Sequence, residues 1–360
     1  MIDDASKLRR GWTTGACAAA AARAAAAALM GGEFPDPVTI RLPGGQTPAF
    51  ALALTERGAD FCRAGVVKDA GDDPDVTHGA EIVVTVEIAP PGSGLRFRAG
   101  EGVGTVTLPG LPLAVGEPAI NPGPRAQISD NIGDAARMLG VAGDAIVTLS
   151  VPGGEALAAK TLNGRLGIVG GLSILGTTGI VLPYSCAAWV HSIRRGVDVA
   201  RALGLDHLAA ATGKTSEAAL RRDLGLPDQA IIDMGDLAGA LLKALRARPP
   251  ARLTLAGGPA KLAKLAAGRM DLHSRAGAPD RVLLAGLLAD LGAPGPLVDK
   301  ARHGAGVAAL LAEAGDGPAA AIAEAIARRA RETVLAVLAG GTEVAVWVVD
   351  RGGRIIGRAS

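Results

Sequence analysis

The densest concentration of chemically useful side chains lies between residues 67 and 79, Val-Lys-Asp-Ala-Gly-Asp-Asp-Pro-Asp-Val-Thr-His-Gly. It puts Lys68, four carboxylates (Asp69, Asp72, Asp73, Asp75) and His78 into turn-forming sequence. Such a group could form a divalent-metal loop, an acid/base cluster with Asp69, Asp72, Asp73 and His78 as candidates, or a set of donors and acceptors for a polar substrate. The alternative is a solvated acidic turn whose aspartates bond their own backbone, and spacing does not separate these readings. A calcium loop is disfavoured, because the glycine at position six and the glutamate at position twelve are missing.

Two glycine runs resemble nucleotide motifs without meeting them. In Gly100-Glu101-Gly102-Val103-Gly104-Thr105-Val106-Thr107 the third glycine of a dinucleotide fingerprint would fall on Thr107, and no helix follows. Gly213-Lys214-Thr215 ends like a phosphate loop, but the required first glycine would be Leu208. Gly213 still matters, since a strand end opening into a helix is where open α/β sheets bind ligands. Asp233 and Asp236, beside Gly235 and some twenty residues further on, suit the ribose hydroxyls of an adenosine, or else cap the following helix. Arg125 follows the proline-stiffened run 118–124, which would aim its guanidinium, though a plain surface arginine also fits. Lys160, Asn163 and Arg165 precede the glycine-rich run 166–179, which permits either close approach to a bound molecule or tight packing. His191, His207 and His303 have no partners at metal spacing and read as ordinary histidines.

The frame for these residues is bounded by composition. A chain of 360 residues exceeds one growing core, so two domains are expected. Hydrophobic residues make up 49% and aromatics 2%, so the core must be built from Ala, Val, Leu and Ile. A formal charge of +2 and so few aromatics argue against a nucleic-acid partner. Cys17, Cys62 and Cys186 are odd in number and far apart, against a disulfide framework or a cysteine-rich zinc site and for a reducing, cytoplasmic setting. The run from Ala16 to Leu29 follows Lys7, Arg9 and Arg10 as a signal peptide might, but Arg23 interrupts it, and no stretch approaches a membrane span.

Thr13 or Thr14 is placed to cap a helix running to about Met30, stopped by Gly31-Gly32. Short β-branched runs at 38–42, 49–54 and 82–88 read as a sheet, and the Gly- and Pro-rich residues 100–125 as a binding loop. After Pro152 the rhythm becomes that of βαβ units: strands at 207–212, 230–234 and 252–256, helices at 216–224, 237–246 and 259–267. A long helix over 319–339 and a hairpin over 344–358 close the chain. The expected fold is therefore α/β and α+β: a mixed α+β domain over 1–155, and a Rossmann-like βαβ domain over 156–360.

Taken together these runs resemble the CbiD family, the cobalt-precorrin-5B carbon-1 methyltransferases of anaerobic cobalamin synthesis. The resemblance spans nearly the whole chain: residues 11–19, 68–79, 102–111, 118–125, 161–163, 166–181, 234–236, 261–266 and His273-Ser274. The chain departs at Leu108, where lysine is usual, at Asp271-Leu272, where Asn-Thr is usual, and near Cys186 and Ala187, where acidic residues are usual. The resemblance implies methylation of carbon 1 to give cobalt-precorrin-6A, with S-adenosylmethionine as donor and with cobalt arriving only on the tetrapyrrole substrate. It makes Arg9, Arg10, Lys68, Arg125 and Arg165, with Thr14 and Asn163, candidates for holding substrate carboxylates. Gly213, Asp233, Gly235 and Asp236 would hold the donor. No resident metal, nucleic-acid partner or membrane is implied, and a homo-oligomer is compatible. The competing readings are a metal-dependent hydrolase or phosphotransferase built on the Asp69–His78 loop, and a non-catalytic tetrapyrrole carrier.

Overall fold

A computed structural model describes residues 8–360. Lys7 lies outside the described residues. The chain divides into two compact units, one ending at Ser185 and one running from Cys186 to Ser360.

The first unit begins with β1 (Gly11–Trp12) and α1 (Thr14–Leu29). The short strands β2 (Val38–Thr39) and β3 (Ala49–Phe50) pair with each other. Then come β4 (Leu54–Arg57), β5 (Phe61–Val67), β6 (Glu81–Ile88), β7 (Leu95–Ala99) and β8 (Thr105–Val106). The helix α2 (Pro122–Leu139) precedes β9 (Ala145–Ser150), α3 (Gly154–Ala158), β10 (Ile168–Val169) and β11 (Ile180–Val181). Its main sheet has the order β4-β5-β6-β9-β7, antiparallel except for the β7–β9 pair.

The alanine run is the centre of this unit. Thr13 caps α1 by accepting the Ala16 amide at 3.2 Å, as its position predicts. The helix lies between α2 on one side and β5 and β6 on the other. Residues 16–22, 24–26 and 28 have no exposed surface, because a helix covered all round must be apolar all round, and only small side chains let both neighbours come close. Arg23, which breaks the run, escapes sideways toward Asp134 of α2 at 3.8 Å. Among the described residues no helix is long and apolar enough to cross a membrane.

The boundary lies thirty residues later than the expected 155/156. Residues 156–185 are tied backward: β10 pairs with β8, β11 pairs with β1, and Ile174 bridges to Ile120. Helix α2 is also absent from the sequence reading, which took Arg125 for a loop residue. Its prolines sit in the first turn, where no amide hydrogen is needed.

The second unit opens with α4 (Cys186–Ala202). It continues through β12 (His207–Ala211), α5 (Lys214–Leu224), β13 (Ile231–Asp233), α6 (Ala238–Arg246), β14 (Arg252–Gly257) and α7 (Pro259–Ala266). Three short helices follow, α8 (Arg281–Asp290), α9 (Gly295–Arg302) and α10 (Val307–Ala314), then α11 (Asp316–Leu338), β15 (Glu343–Val349) and β16 (Ile355–Ala359). The sheet order is β13-β12-β14-β15-β16, the first four strands parallel and β16 antiparallel. Alternate residues face opposite sides: Leu208, Ala210, Leu253 and Leu255 join the core with α6, α7 and α11, while Ala209, Ala211 and Ala256 pack on α5. The fold is thus a mixed α and β structure with several sheets, each βαβ strand and helix within two residues of its expected bounds.

Burial separates the three cysteines. Cys17 and Cys62 are buried, and burial pushes the Cys17 thiol up to about 12, whereas Cys186 is exposed. A native thiol titration with an aromatic disulfide reagent is expected to find one fast thiol, at Cys186, and the other two only in urea.

Candidate functional site

In the first unit the acidic segment leaves β5 and returns to β6, and the strap of residues 9–14 lies against it. Trp12 donates its amide to the Asp69 carbonyl at 2.7 Å, and Asp72 donates its own to the Arg9 carbonyl at 3.0 Å. The two backbones touch. A Cβ on Gly11 would stand 2.0 Å from the Ala70 carbonyl carbon, and Gly71, at φ +68°, would place one 2.2 Å from the Arg9 oxygen. Only glycine permits this approach.

The carboxylates are mostly consumed in holding the loop and strap together. Asp69 accepts both terminal nitrogens of Arg9 and, at 2.9 Å, the Gly71 amide. Asp72 accepts the Arg9 amide at 2.6 Å, and Asp73 the Tyr184 amide at 2.8 Å. Asp75 pairs with Lys68 at 2.5 Å and accepts the Thr77 amide at 2.8 Å. The local aspartate turns foreseen as the alternative are present at Asp69 and Asp75, yet most remaining bonds reach segments distant in sequence. Folding therefore accounts for more of this density than the sequence suggested. Among the described residues no three His, Cys, Asp or Glu side chains are grouped to hold a metal ion.

Lys68 differs from expectation. Its side chain is 2% exposed, and its ammonium donates to Thr14 at 3.2 Å, to Asp75 and to Thr77. Three N–H groups meet three acceptors, so this lysine is spent inside the protein and ties the loop to the start of α1. Arg125 is likewise committed: it donates to the Ile120 carbonyl at 2.7 Å and to Glu117 at 3.2 Å, and lies over the Phe97 ring. Asn163 donates to the Gly171 carbonyl at 3.2 Å. There the glycine-rich run packs backbone on backbone, a Cβ on Gly171 falling 2.3 Å from Gly102. Arg10 and His78 stay exposed. His78 accepts the Ala70 amide at Nδ1, 3.1 Å, which leaves the ring proton on Nε2.

The hydrogen bond from Arg9, helped by the Gly71 amide, holds Asp69 down to about 2, against an ordinary 3.8. Because the folded value is the lower one, the stability this carboxylate contributes is complete above its ordinary value. It is lost as pH falls from there through about 2. In a carboxyl carbon NMR titration Asp69 is expected near 2 in the native chain, moving up toward the ordinary value in Arg9→Ala. At Asp75 burial acts upward, but the Lys68 charge and the bonds from Lys68 and Thr77 outweigh it and the net shift is down.

In the second unit the four residues expected to hold a donor lie along the carboxyl edge of the parallel strands. Gly213 follows β12 and opens α5 with open space around it. Asp233 ends β13, and its carboxylate accepts the Gly235 amide at 3.2 Å. Asp236 pairs with Lys261 at 2.9 Å, and Lys261 also donates to the Thr212 carbonyl at 2.6 Å. The strand order reverses at β12, with β13 on one side and β14 on the other, which makes this edge a topological switch point. Sequence reasoning missed Lys261, although its segment was among the matched runs, and Trp189, whose indole donates to the Asp233 carbonyl at 3.2 Å.

The CbiD family model matches residues 1–183 and the model of the CbiD C-terminal domain residues 271–360. The chain belongs to the CbiD family. A CbiD relative from Paramagnetospirillum magneticum, named cobalt-precorrin-5B C(1)-methyltransferase, is 58% identical over 99% of both chains. One from Bradyrhizobium sp. with the same name is 57% identical over 98% of this chain and 93% of its own length. A crystal structure of a cobalamin biosynthesis protein (CbiD) from Archaeoglobus fulgidus, 31% identical, covers 70% of this chain and 77% of its own, with a TM-score of 0.40.

Proposed function

We infer that this CbiD chain methylates carbon 1 of cobalt-precorrin-5B, giving cobalt-precorrin-6A, with S-adenosylmethionine as donor. The observation that carries the reading is 58% identity over 99% of both chains to a relative bearing that name. We read the second unit as a Rossmann-like donor domain. The carboxylate of Asp233 at the end of the second strand, the open backbone at Gly213 and the paired Asp236 and Lys261 are a donor set that fits an adenosyl group.

When bound, the donor supplies an electrophilic methyl on a sulfonium, which leaves as S-adenosylhomocysteine once the ring carbon takes the methyl. The protein's work is then to hold that carbon in line with the methyl at about 3 to 3.5 Å. In the first unit Arg10, exposed on the strap, takes a substrate carboxylate, and the family resemblance assigns Thr14, Asn163 and Arg165 to the substrate as well. Arg9, Lys68 and Arg125, whose donors are engaged within the protein, act as positioning residues. Of the acid/base candidates Asp69, Asp72, Asp73 and His78, the histidine is best suited to move a proton, since its Nε2 carries one and its side chain is 52% exposed. Asp69 stays ionised down to about 2 and serves as an anchor.

The test is anaerobic incubation of the purified chain with cobalt-precorrin-5B and methyl-labelled S-adenosylmethionine, locating the label by mass spectrometry and carbon NMR. Label at ring carbon 1 is expected. Binding of both substrates without label transfer would instead favour a carrier.

A further inference from the structure

Aromatic side chains are scarce in this chain, and most of the tryptophan surface is put away. Trp347 is 8% exposed in the sheet beneath Arg358, and Trp12 packs edge-on against Phe50. Trp189 is different: 46% of it is exposed, near the start of α4. Leaving an indole half in water forgoes much of the gain from burying it, so its placement invites a reason.

The indole is held rather than loose. Its Nε1 donates to the carbonyl of Asp233, and its six-membered edge lies against Gly235. A Cβ at Gly235 would stand 3.0 Å from Cζ2 and 3.2 Å from Cε2, a tight contact, and the residue is at φ +52°, where glycine is favoured. Trp189 therefore sits where β13 ends, beside the carboxylate expected to take ribose hydroxyls. In open α/β sheets ligands bind in the crevice outside the carboxyl ends of the strands, so a base whose ribose is held at Asp233 lies close to the end of β13. Here β13 is the edge strand, so no further strand flanks that position. Trp189 supplies a flat aromatic surface there.

We propose that Trp189 is the stacking platform for the adenine of the methyl donor. The proposal rests on the donor reading of the second unit. It assigns the adenine to a planar, uncharged surface near Asp233, leaving Lys261 and the end of β12 to the rest of the donor. Stacking of a base on an aromatic side chain tolerates exchange among aromatics but not their loss.

The full chain is titrated with S-adenosylhomocysteine by calorimetry, in native form and as Trp189→Phe and Trp189→Leu. Trp189→Phe is expected to bind within about threefold of the native chain, and Trp189→Leu more weakly by roughly five- to a hundredfold. Saturating ligand should also change native tryptophan emission, and that change should be missing in Trp189→Phe. Unaltered affinity in Trp189→Leu, or unaltered emission at saturation, overturns the proposal while leaving the donor reading intact. If Trp189→Leu fails to fold, the emission arm decides. Absence of binding by the native chain removes the donor reading and the proposal with it.

Discussion

Replacing Lys68 with methionine is expected to cost about 3 to 5 kcal/mol of unfolding free energy, the range for removing one partner from a buried ion pair. The Lys68 side chain is 2% exposed and that of Asp75 24%, so little water is at hand to replace the lost partner. Without Lys68, burial acts on Asp75 against the two Thr77 hydrogen bonds alone, and its carboxyl will titrate higher than in the native chain. The stability of the native chain will therefore fall toward acid, as Asp75 takes up a proton. The variant instead forces on Asp75 a choice between an unpaired buried charge and protonation. Urea unfolding of Lys68→Met, Asp75→Asn and the double variant measures the pair. A coupling energy above about 1 kcal/mol is expected for groups in one network. Simple additivity would mean that Lys68 acts through packing alone.

Gly11→Ala is expected to slow methyl transfer by on the order of a hundredfold, more than any substitution of an exposed carboxylate in the loop. The added methyl would meet backbone atoms of Ala70 at 2.0 to 2.4 Å, and backbone cannot step aside as a side chain does. Strap and loop must separate, carrying off the Trp12–Asp69 and Asp72–Arg9 amide bonds. Overpacking of this kind costs about 1 to 3 kcal/mol. The functional loss should be larger in proportion, since a misplacement of about 1 Å costs on the order of a hundredfold in rate. Release of S-adenosylhomocysteine in the labelled assay, compared with urea unfolding of the same preparation, separates the two effects. Native transfer rates in a folded Gly11→Ala chain would show that the strap has no part in positioning substrate.

Much of the second unit was legible because its signals are local. The strands at 207–211, 231–233 and 252–257 are short apolar runs closed by Gly or Asp, and the helices after the first and the third begin at Gly213 and Gly258. Helix α1 was legible for the same reason, from a threonine cap, an alanine run and a glycine stop. Helix α2 was not, because prolines and glycines that terminate helices elsewhere stand here in its first turn, and the loop before it has the same composition. The boundary at Ser185 was hidden as well. It depends on two-residue strands whose partners lie sixty residues or more away, and nothing within residues 156–185 records those pairings.

The candidate site divides in the same manner. Residue types and spacing determined which side chains carry charge, that Asp233 follows Gly213 at the interval of a ribose-binding carboxylate, and that few aromatics exist. Tertiary structure alone decided what each charge is for. Lys68 and Arg125 looked outward in sequence and are held inward, because a buried cation must find acceptors and these came from Thr14, Asp75, Thr77, Ile120 and Glu117. Trp189 carried no sequence signal, since its meaning lies in contact with Asp233 and Gly235, forty-four and forty-six residues further on. Spacing along a chain reports what a helix or strand will bury. Contacts that close only when distant segments meet are reported by the fold.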